Sequence, residues 1–547
     1  MNNKISIPTY VLEVTETLQN GGFEAFLVGG CVRDMILGRE PKDWDVTTNA
    51  TPEQIQGLFE KTVYENTFGT VMVMIPRKAD VLHLLDVGVS HETPLAGETN
   101  LSRDRNSDVS HETVSSAQSV SRATDYSDKY ETVEVTPYRT EADYSDNRHP
   151  DKVEFSDNIE DDLKRRDFTI NALAYSPNLK DTFLNDTSSV KDMFGGLNDI
   201  NDKVIRTVGN PDERFQEDAL RMLRAIRFST ELGFVVSHET LESIMKNKDL
   251  LARISAERIR DEFVKIIMSP EPMAGVGMLI KLGLNKYIVP ELEEGIGCEQ
   301  KGEHIYDVFE HILHALGHAA DKGKPLHIRL SALFHDIGKP RTRRWDGTKA
   351  GGAGKYTFYG HEVVGARMVA KIMERLKFPK DISEMVAKLV RYHMFFSDTE
   401  QITLSAVRRT IVNVGRENIW DLMDVRECDR VGMKKKEAPY RLRKYHAMIE
   451  EALRAPTSVG MLKINGEVLI KELGIKPGPR MGWILHALLE ECLESDSKNH
   501  PESLKDRALE LNKLSDKELK ALGEKGKEAK EEVEQEELHK IHKKHGV

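Results

Sequence analysis

The feature that most constrains this 547-residue chain is a change of hydrophobic period near Phe168. Ahead of it, short apolar runs alternate with stretches of helical spacing. Beyond it, apolar residues recur at i, i+3 and i+4 almost throughout. The spacing predicts helices over 212–232, 255–268, 307–320, 328–336, 360–376, 382–393 and 405–414, with a Gly/Lys/Arg-rich loop at 340–358. Strands are expected at Phe26-Leu27-Val28, Trp44-Asp45-Val46, Gly69 to Ile75 and Tyr130 to Thr136, the last pairing with 70–75. The fold class is α+β, a strand-bearing head followed by an all-α body. At roughly 100–200 residues per domain, the length implies three or four units.

Composition removes several function classes. No apolar run approaches the roughly 18 residues of a membrane span. Mean hydropathy is −0.47. The first residues lack the apolar core of a signal peptide. Cys31, Cys298, Cys428 and Cys492 are far apart and form no C-x-x-C pair, which excludes a cysteine zinc site and argues against a disulfide framework. A reducing, cytoplasmic setting is expected. The net charge of −12 counts against coating nucleic acid by bulk charge. It is compatible with an enzyme that works through a local basic track.

The densest chemistry lies near the N-terminus. Gly29-Gly30-Cys31-Val32-Arg33-Asp34 follows a strand and opens a helix. Glycine lets a backbone approach a bulky anion, free N–H groups at the helix start face phosphate, and Arg33 can fork onto it. Lys42-Asp43-Trp44-Asp45 comes next. On a strand, Asp43 and Asp45 share a face, and two such carboxylates repel unless a cation lies between them. Hard oxygen ligands at this spacing suit Mg²⁺. An isolated Asp-x-Asp is also what a solvated strand end carries. Glu134, in the Glu-Val-Thr-Pro-Tyr-Arg run ending at Arg139, is a candidate third acid.

Two further runs carry unusual charge. In 161–172, Arg166 can reach a nucleotide while Asp167 and Asn171 hold geometry. In 217–227, Asp218, Arg221, Arg224 and Arg227 recur every third residue and form a drifting row on one helix face. Each run alone could be a surface ion-pair cluster.

Together and in this order, the runs over roughly residues 5–300 resemble the class II tRNA nucleotidyltransferases, the CCA-adding enzymes and their poly(A) polymerase relatives. The resemblance implies a head similar to DNA polymerase β. It implies that Asp43 and Asp45 are catalytic and bind Mg²⁺, and that Gly29, Gly30, Arg33 and Arg166 bind the incoming nucleotide. Asp218 and Arg221 would read its base, Arg224 and Arg227 would support site and phosphates, and the Ser255 to Glu262 run would be mainly structural. Base reading by such a pair is physically sound. Cytosine and adenine each present an exocyclic amine beside a ring-nitrogen acceptor, which a carboxylate and a guanidinium satisfy together. Guanine and uracil place a carbonyl against the carboxylate and leave buried groups unpaired.

A second signal spans 298–440. His311 lies in Asp307-Val308-Phe309-Glu310-His311, His335-Asp336 precedes Ile337-Gly338-Lys339-Pro340, and His361, His393 and Asp429 follow. A mixed N/O donor set of this kind can hold a transition metal. The set resembles the HD phosphohydrolase superfamily, which some bacterial CCA-adding enzymes carry downstream of the same head. By that resemblance His311, His335, Asp336 and Asp429 are metal ligands, and His361 and His393 complete a second position or contact phosphate. Mn²⁺, Ni²⁺, Co²⁺ or Mg²⁺ would serve. The implied reaction is hydrolysis of a phosphoester, such as a 2′,3′-cyclic phosphate.

The expected organisation is a nucleotidyltransferase head at 1–175 with a low-complexity insertion at 88–130, then a nucleotide-selecting and RNA-binding neck at 176–297. An HD-type domain at 298–440, a helical module at 441–500 and a charged tail at 501–547 follow. The expected function is template-independent addition of C and A from CTP and ATP to the tRNA 3′ end, with the acceptor arm as partner and no membrane. The rivals are a partial-CCA enzyme, a poly(A) polymerase, and an HD phosphohydrolase with a nucleotide-sensing head.

Overall fold

The computed structural model describes residues 5–64, 69–77, 129–142, 152–177, 183–184, 186–300, 305–346, 355–394, 402–431, 439–453, 459–494 and 498–522. The expected insertion at 88–130 lies outside these residues except for its last two. Among the described residues no helix is long and apolar enough to cross a membrane. The chain divides into two compact units, 1–221 with 234–243, and 222–233 with 244–547.

The first unit is built on a mixed seven-stranded sheet. Its strands are β1 (Ala25–Val28), β2 (Asp45–Thr48), β3 (Thr62–Tyr64), β4 (Val71–Pro76) and β5 (Tyr130–Pro137). After the separate hairpin of β6 (Arg139–Ala142) and β7 (Lys152–Phe155) come β8 (Leu173–Tyr175) and β9 (Val190–Asp192). The order is β3-β4-β5-β2-β1-β8-β9. Only β2 and β5 run parallel, with Asp45 opposite Glu134. All four residues of β1 are buried, as a central strand covered on both faces requires. In β5, buried Val133 and Val135 alternate with exposed Thr132 and Glu134, so the period of two leaves Glu134 on the open face. The expected β4–β5 pairing is present and antiparallel. Helix Pro52–Leu58 starts where its chemistry dictates, with Thr51 and Gln54 closing a capping box and Pro52 in the first turn.

The second unit is almost wholly helical. Helices Ala256–Met268, Val308–Asp321, Leu326–Phe334, His361–Arg375, Lys380–Tyr392 and Leu404–Val414 fall on the periodic stretches. Asp307 caps its helix by accepting from the Glu310 N–H at 2.7 Å. Three expectations need correction. The helix read over 212–232 is two, Pro211–Glu217 and Arg221–Leu232, because the Asp218 carboxylate accepts the Leu220 N–H at 3.0 Å and draws the backbone out of helical geometry. The loop at 340–358 contains a short hairpin of Arg344–Asp346 with Lys355–Thr357. The charged tail, expected to be solvated helix or disorder, begins as a helix that is buried along one side. Helix Pro501–Leu511 buries Leu504, Ala508 and Leu511 in one apolar cluster with Leu469, Ile484, Leu488 and Cys492. That stripe at i, i+4 and i+7 is masked by its Lys/Glu surroundings.

Candidate active site and candidate metal centre

In the first unit, β1 ends at Val28 and Gly29 turns the chain into helix Gly30–Ile36 with φ 76° and ψ −134°. Side chains rarely tolerate that backbone. Space forbids one as well, since a Cβ on Gly29 would lie 2.9 Å from Arg166 Nη1 and 3.7 Å from Asp45 Oδ2. A bare backbone, a guanidinium and a carboxylate therefore meet at one point.

Asp43 and Asp45 are not on one strand, as the spacing had implied. β2 begins at Asp45, and exposed Asp43 lies in the bend before it. The reason is the register. Leu27 pairs with Val46, and β1 then turns away at Gly29, so the residues ahead of Asp45 have no β1 partner. The two carboxylates nonetheless feel each other. Burial raises the Asp45 carboxyl above its ordinary range, Arg166 pulls it back and Asp43 pushes it up. Crowded hard oxygen donors with unfavourable mutual charge fit a divalent cation. Glu134, opposite Asp45 in the parallel ladder, projects from the same face.

Arg166 is held by a residue to which sequence reasoning assigned no role. Asp162 is 0% exposed. Its Oδ1 accepts from Arg165 Nη2 at 2.5 Å and its Oδ2 from Arg166 Nη2 at 3.0 Å. Burial works against this carboxylate, yet the two guanidiniums hold it below the ordinary range. The i, i+3 and i, i+4 spacing to two arginines was the available signal. Asp167 and Asn171 do hold geometry, but on Arg33. Arg33 Nη1 donates to Asn171 Oδ1 at 2.7 Å, and Asn171 Nδ2 donates to Asp167 Oδ1 at 3.1 Å.

The arginine row is also redrawn. Asp218 precedes the helix that carries Arg221, so it does not extend that face. Arg221 Nη1 donates to Glu217 Oε2 at 2.6 Å, and its Nη2 donates to the Arg165 carbonyl at 3.0 Å, beside the Asp162–Arg166 pair. In the second unit Arg224 is half-buried over the Phe228 ring. Arg227 is 7% exposed and gives Nη1 to Glu262 Oε1 at 2.9 Å. At about 100° per residue, Arg227 is turned by about 120° from Arg221. The pair with Glu262 ties it to the 255–262 run.

The second cluster is assembled from five helices. His311 lies within Val308–Asp321, and His335 and Asp336 follow Leu326–Phe334. His361 opens His361–Arg375, His393 follows Lys380–Tyr392, and Asp429 ends Ile419–Asp429. All six are buried. One group is His311, His335, Asp336 and Asp429, with ligand atoms within 4.8 Å of one another; a second is Asp336, His361 and His393. His311 Nε2 is 3.3 Å from Asp429 Oδ1 and 3.4 Å from Asp336 Oδ2. His335 Nε2 is 3.2 Å from Asp336 Oδ2. His361 Nε2 is 3.3 Å from the other oxygen, Asp336 Oδ1. Asp336 therefore turns one oxygen to each group.

Separations of about 3–3.5 Å are those of ligands around one ion with bonds near 2.1 Å. Three imidazoles are preset for such a role. Nδ1 faces the carbonyl three residues earlier in His335 (Ala332, 2.8 Å), His361 (Phe358, 2.7 Å) and His393 (Val390, 2.7 Å), which leaves Nε2 for the centre. The charge balance agrees. Burial opposes the His335 cation, but Asp336 and Asp429 raise it to about 10. Burial also opposes ionised Asp336 and Asp429, yet Lys339 and His335 hold the former far below the ordinary range, and His311 and His335 hold the latter there. Two buried carboxylates thus demand positive charge between them. The donor chemistry fits divalent metal.

Comparison with known proteins agrees with this geometry. Three family models match, the Poly A polymerase head domain at 25–93 and 77–206, the probable RNA and SrmB-binding site of polymerase A at 233–296, and the HD domain at 302–433. The CCA-adding enzyme of Limosilactobacillus reuteri is 30% identical over 502 residues, 91% of this chain and 96% of that protein. A crystal structure of the Bacillus stearothermophilus CCA-adding enzyme in complex with CTP shares the fold, with TM-score 0.61, 24% identity and coverage of 92% of this chain and 97% of that one. The Thermotoga maritima CCA-adding enzyme complexed with tRNA does so at TM-score 0.51 and 17% identity, over 92% and 95% of the two chains. With a relative at that identity over nearly its whole length, and a nucleotidyltransferase head ahead of an HD domain, the chain belongs to the family of CCA-adding enzymes.

Proposed function

We propose that the protein adds C and A residues from CTP and ATP to the 3′ end of tRNA without a template. The observation that carries this reading is the meeting of Gly29, Asp45 and Arg166, with Arg166 braced by buried Asp162. The tRNA 3′-hydroxyl attacks the α-phosphate and pyrophosphate leaves. Mg²⁺ held by Asp43 and Asp45 would supply the charge that activates the hydroxyl and stabilises the leaving group. Gly30, at the start of its helix, offers backbone to the triphosphate, and Arg33 and Arg166 bind it through charge-assisted hydrogen bonds. Asp218 and Arg221 present an acceptor and a donor to the base edge of cytosine or adenine. Arg224 and Arg227 support the helix that begins at Arg221. The head at 1–175 performs transfer, and the helical segments after it grip the acceptor arm by shape and phosphate contacts.

The buried His/Asp cluster supports an accessory activity, metal-assisted phosphoester hydrolysis with Mn²⁺, Ni²⁺, Co²⁺ or Mg²⁺, acting on ends such as 2′,3′-cyclic phosphates. Asp43→Ala tests the main reading. It should abolish nucleotide transfer while tRNA binding, read by filter retention, stays near that of the unaltered protein. Normal turnover by this variant would refute the assignment.

A further inference from the structure

The hairpin between the two halves of the metal-ligand set carries a surface of its own. It follows Lys339, whose Nζ lies 2.5 Å from Asp336 Oδ2, and it leads directly into His361. Its Trp345 is 56% exposed and Tyr359, two residues before His361, is 70% exposed. Single exposed apolar side chains are ordinary, but these two are the most exposed large aromatics among the described residues. The ring of Trp345 is steadied edge-on by Tyr356 at 4.9 Å, and the Arg343 guanidinium lies 3.7 Å from the Tyr356 ring centroid. Residues 339–346 carry Lys339, Arg341, Arg343 and Arg344 against the one acid Asp346, in a chain of net charge −12. Arg341 is engaged by Glu294 at 2.6 Å, Arg343 shares the Trp345–Tyr356 face, and exposed Arg344 projects from the other face of the strand. At its base the hairpin reaches the cluster, since the Phe358 carbonyl faces His361 Nδ1 at 2.7 Å.

We propose that the described strands of this hairpin and Tyr359 after it are a binding platform for single-stranded RNA, on which Trp345 and Tyr359 stack bases while Arg343, on the Trp345 face, and Arg344 at its edge draw in the phosphate backbone, so that a terminal phosphate is aimed at the His/Asp cluster. The inference rests on the hydrolytic reading for its purpose but not for its test. Stacking on aromatic faces combined with cationic side chains is how single strands are held without sequence preference. The local charge complements phosphate even though the chain as a whole is acidic.

The probe is a hexaribonucleotide with 4-thiouridine beside its 3′-phosphate end, photocrosslinked to the full-length protein and mapped by mass spectrometry. Crosslinks to the peptides holding Trp345 and Tyr359 are expected. In Trp345→Ala/Tyr359→Ala they should fall by about tenfold or more, as the loss of one or two stacked bases implies. Trp345→Phe/Tyr359→Phe should restore them, and Asp43→Ala should leave them unchanged. Crosslinks confined to other peptides, or equal crosslinking by the double alanine variant, would overturn the proposal. So would displacement of the probe by polyglutamate as efficiently as by unlabelled RNA, since that would show an unspecific charge effect. Hydrolysis of bis(p-nitrophenyl) phosphate with Mn²⁺ or Ni²⁺ separates the two readings. Its absence in the unaltered protein would remove the hydrolytic reading and leave the crosslink to decide this one.

Discussion

Buried Asp162 and half-buried Arg166 form an ion pair, with Oδ2 3.0 Å from Nη2, and the same guanidinium packs against the bare backbone of Gly29. A carboxylate that never meets solvent thereby sets the position of a cation at the end of the sheet where β1 turns at Gly29. If Arg166 drifts, Asp162 loses one of its two guanidinium partners and is left with Arg165, which is costly in a buried site. The head is therefore preorganised before substrate arrives.

Asp162→Asn keeps the size of the side chain and removes its charge. We expect the KM for both ATP and CTP to rise about tenfold, the scale of one weakened charge-assisted hydrogen bond, with kcat changed less. Steady-state assays on a tRNA transcript lacking CCA check this. Equal loss of kcat and kcat/KM would instead place Arg166 in transition-state stabilisation alone.

The same residue has a pH signature. Its folded-state carboxyl is held below the ordinary value of 3.8 by Arg165 and Arg166, against the effect of burial. Such a group stabilises the fold fully above its unfolded pKa, and the contribution is lost as pH falls through the folded value. Asp162→Asn should cost about 3 kcal/mol near neutrality, and the difference from the unaltered protein should shrink below about pH 4. Urea titrations across that range measure it. A gap independent of pH would refute the ion-pair assignment.

Much of this was legible in the sequence, for identifiable reasons. The glycine turn, β2, β5 and the helices of the body follow from hydrophobic period and from the Gly29-Gly30 pair that separates a strand from a helix. The six His/Asp residues of the second cluster were named through the resemblance of the whole set to the HD phosphohydrolases, since a single histidine on a helix is more often structural. What was misread depended on tertiary context. Asp43 left the strand because β1 ends at Gly29. Asp218 broke a helix by bonding its own backbone. Arg227 turned inward onto Glu262, a partner 35 residues away that periodicity does not reveal. Asp162 was overlooked because its partners are near in sequence while its burial comes from the fold.

At the second centre, Asp336→Asn removes the oxygen charge shared by both ligand groups. Metal content of the purified protein, read by mass spectrometry, should drop to background, and any phosphoester hydrolysis should go with it. CCA addition should stay within about twofold, since His335, Lys339 and His361, which Asp336 engages, belong with it to the second unit and not to the head. Retained metal at full stoichiometry would contradict the ligand assignment.

Gly338 tests the packing that brings Lys339 and His361 together. A Cβ there would sit 2.2 Å from the His361 carbonyl oxygen and 2.6 Å from the Gly365 nitrogen, both backbone atoms that cannot step aside. Gly338→Ala should therefore cost about 3 kcal/mol, seen as a lower Tm, and should weaken metal retention. An unchanged Tm would mean that the two helices are not packed this closely.

The most direct test of the central claim is incorporation by the purified protein with Mg²⁺ on tRNA transcripts ending before CCA, after C and after CC. Each is given CTP alone, ATP alone, and both. The account predicts completion to CCA on every transcript, followed by a stop, with no incorporation of GTP or UTP. A long A tail, addition confined to A on the CC-ended transcript, or no incorporation at all would contradict it.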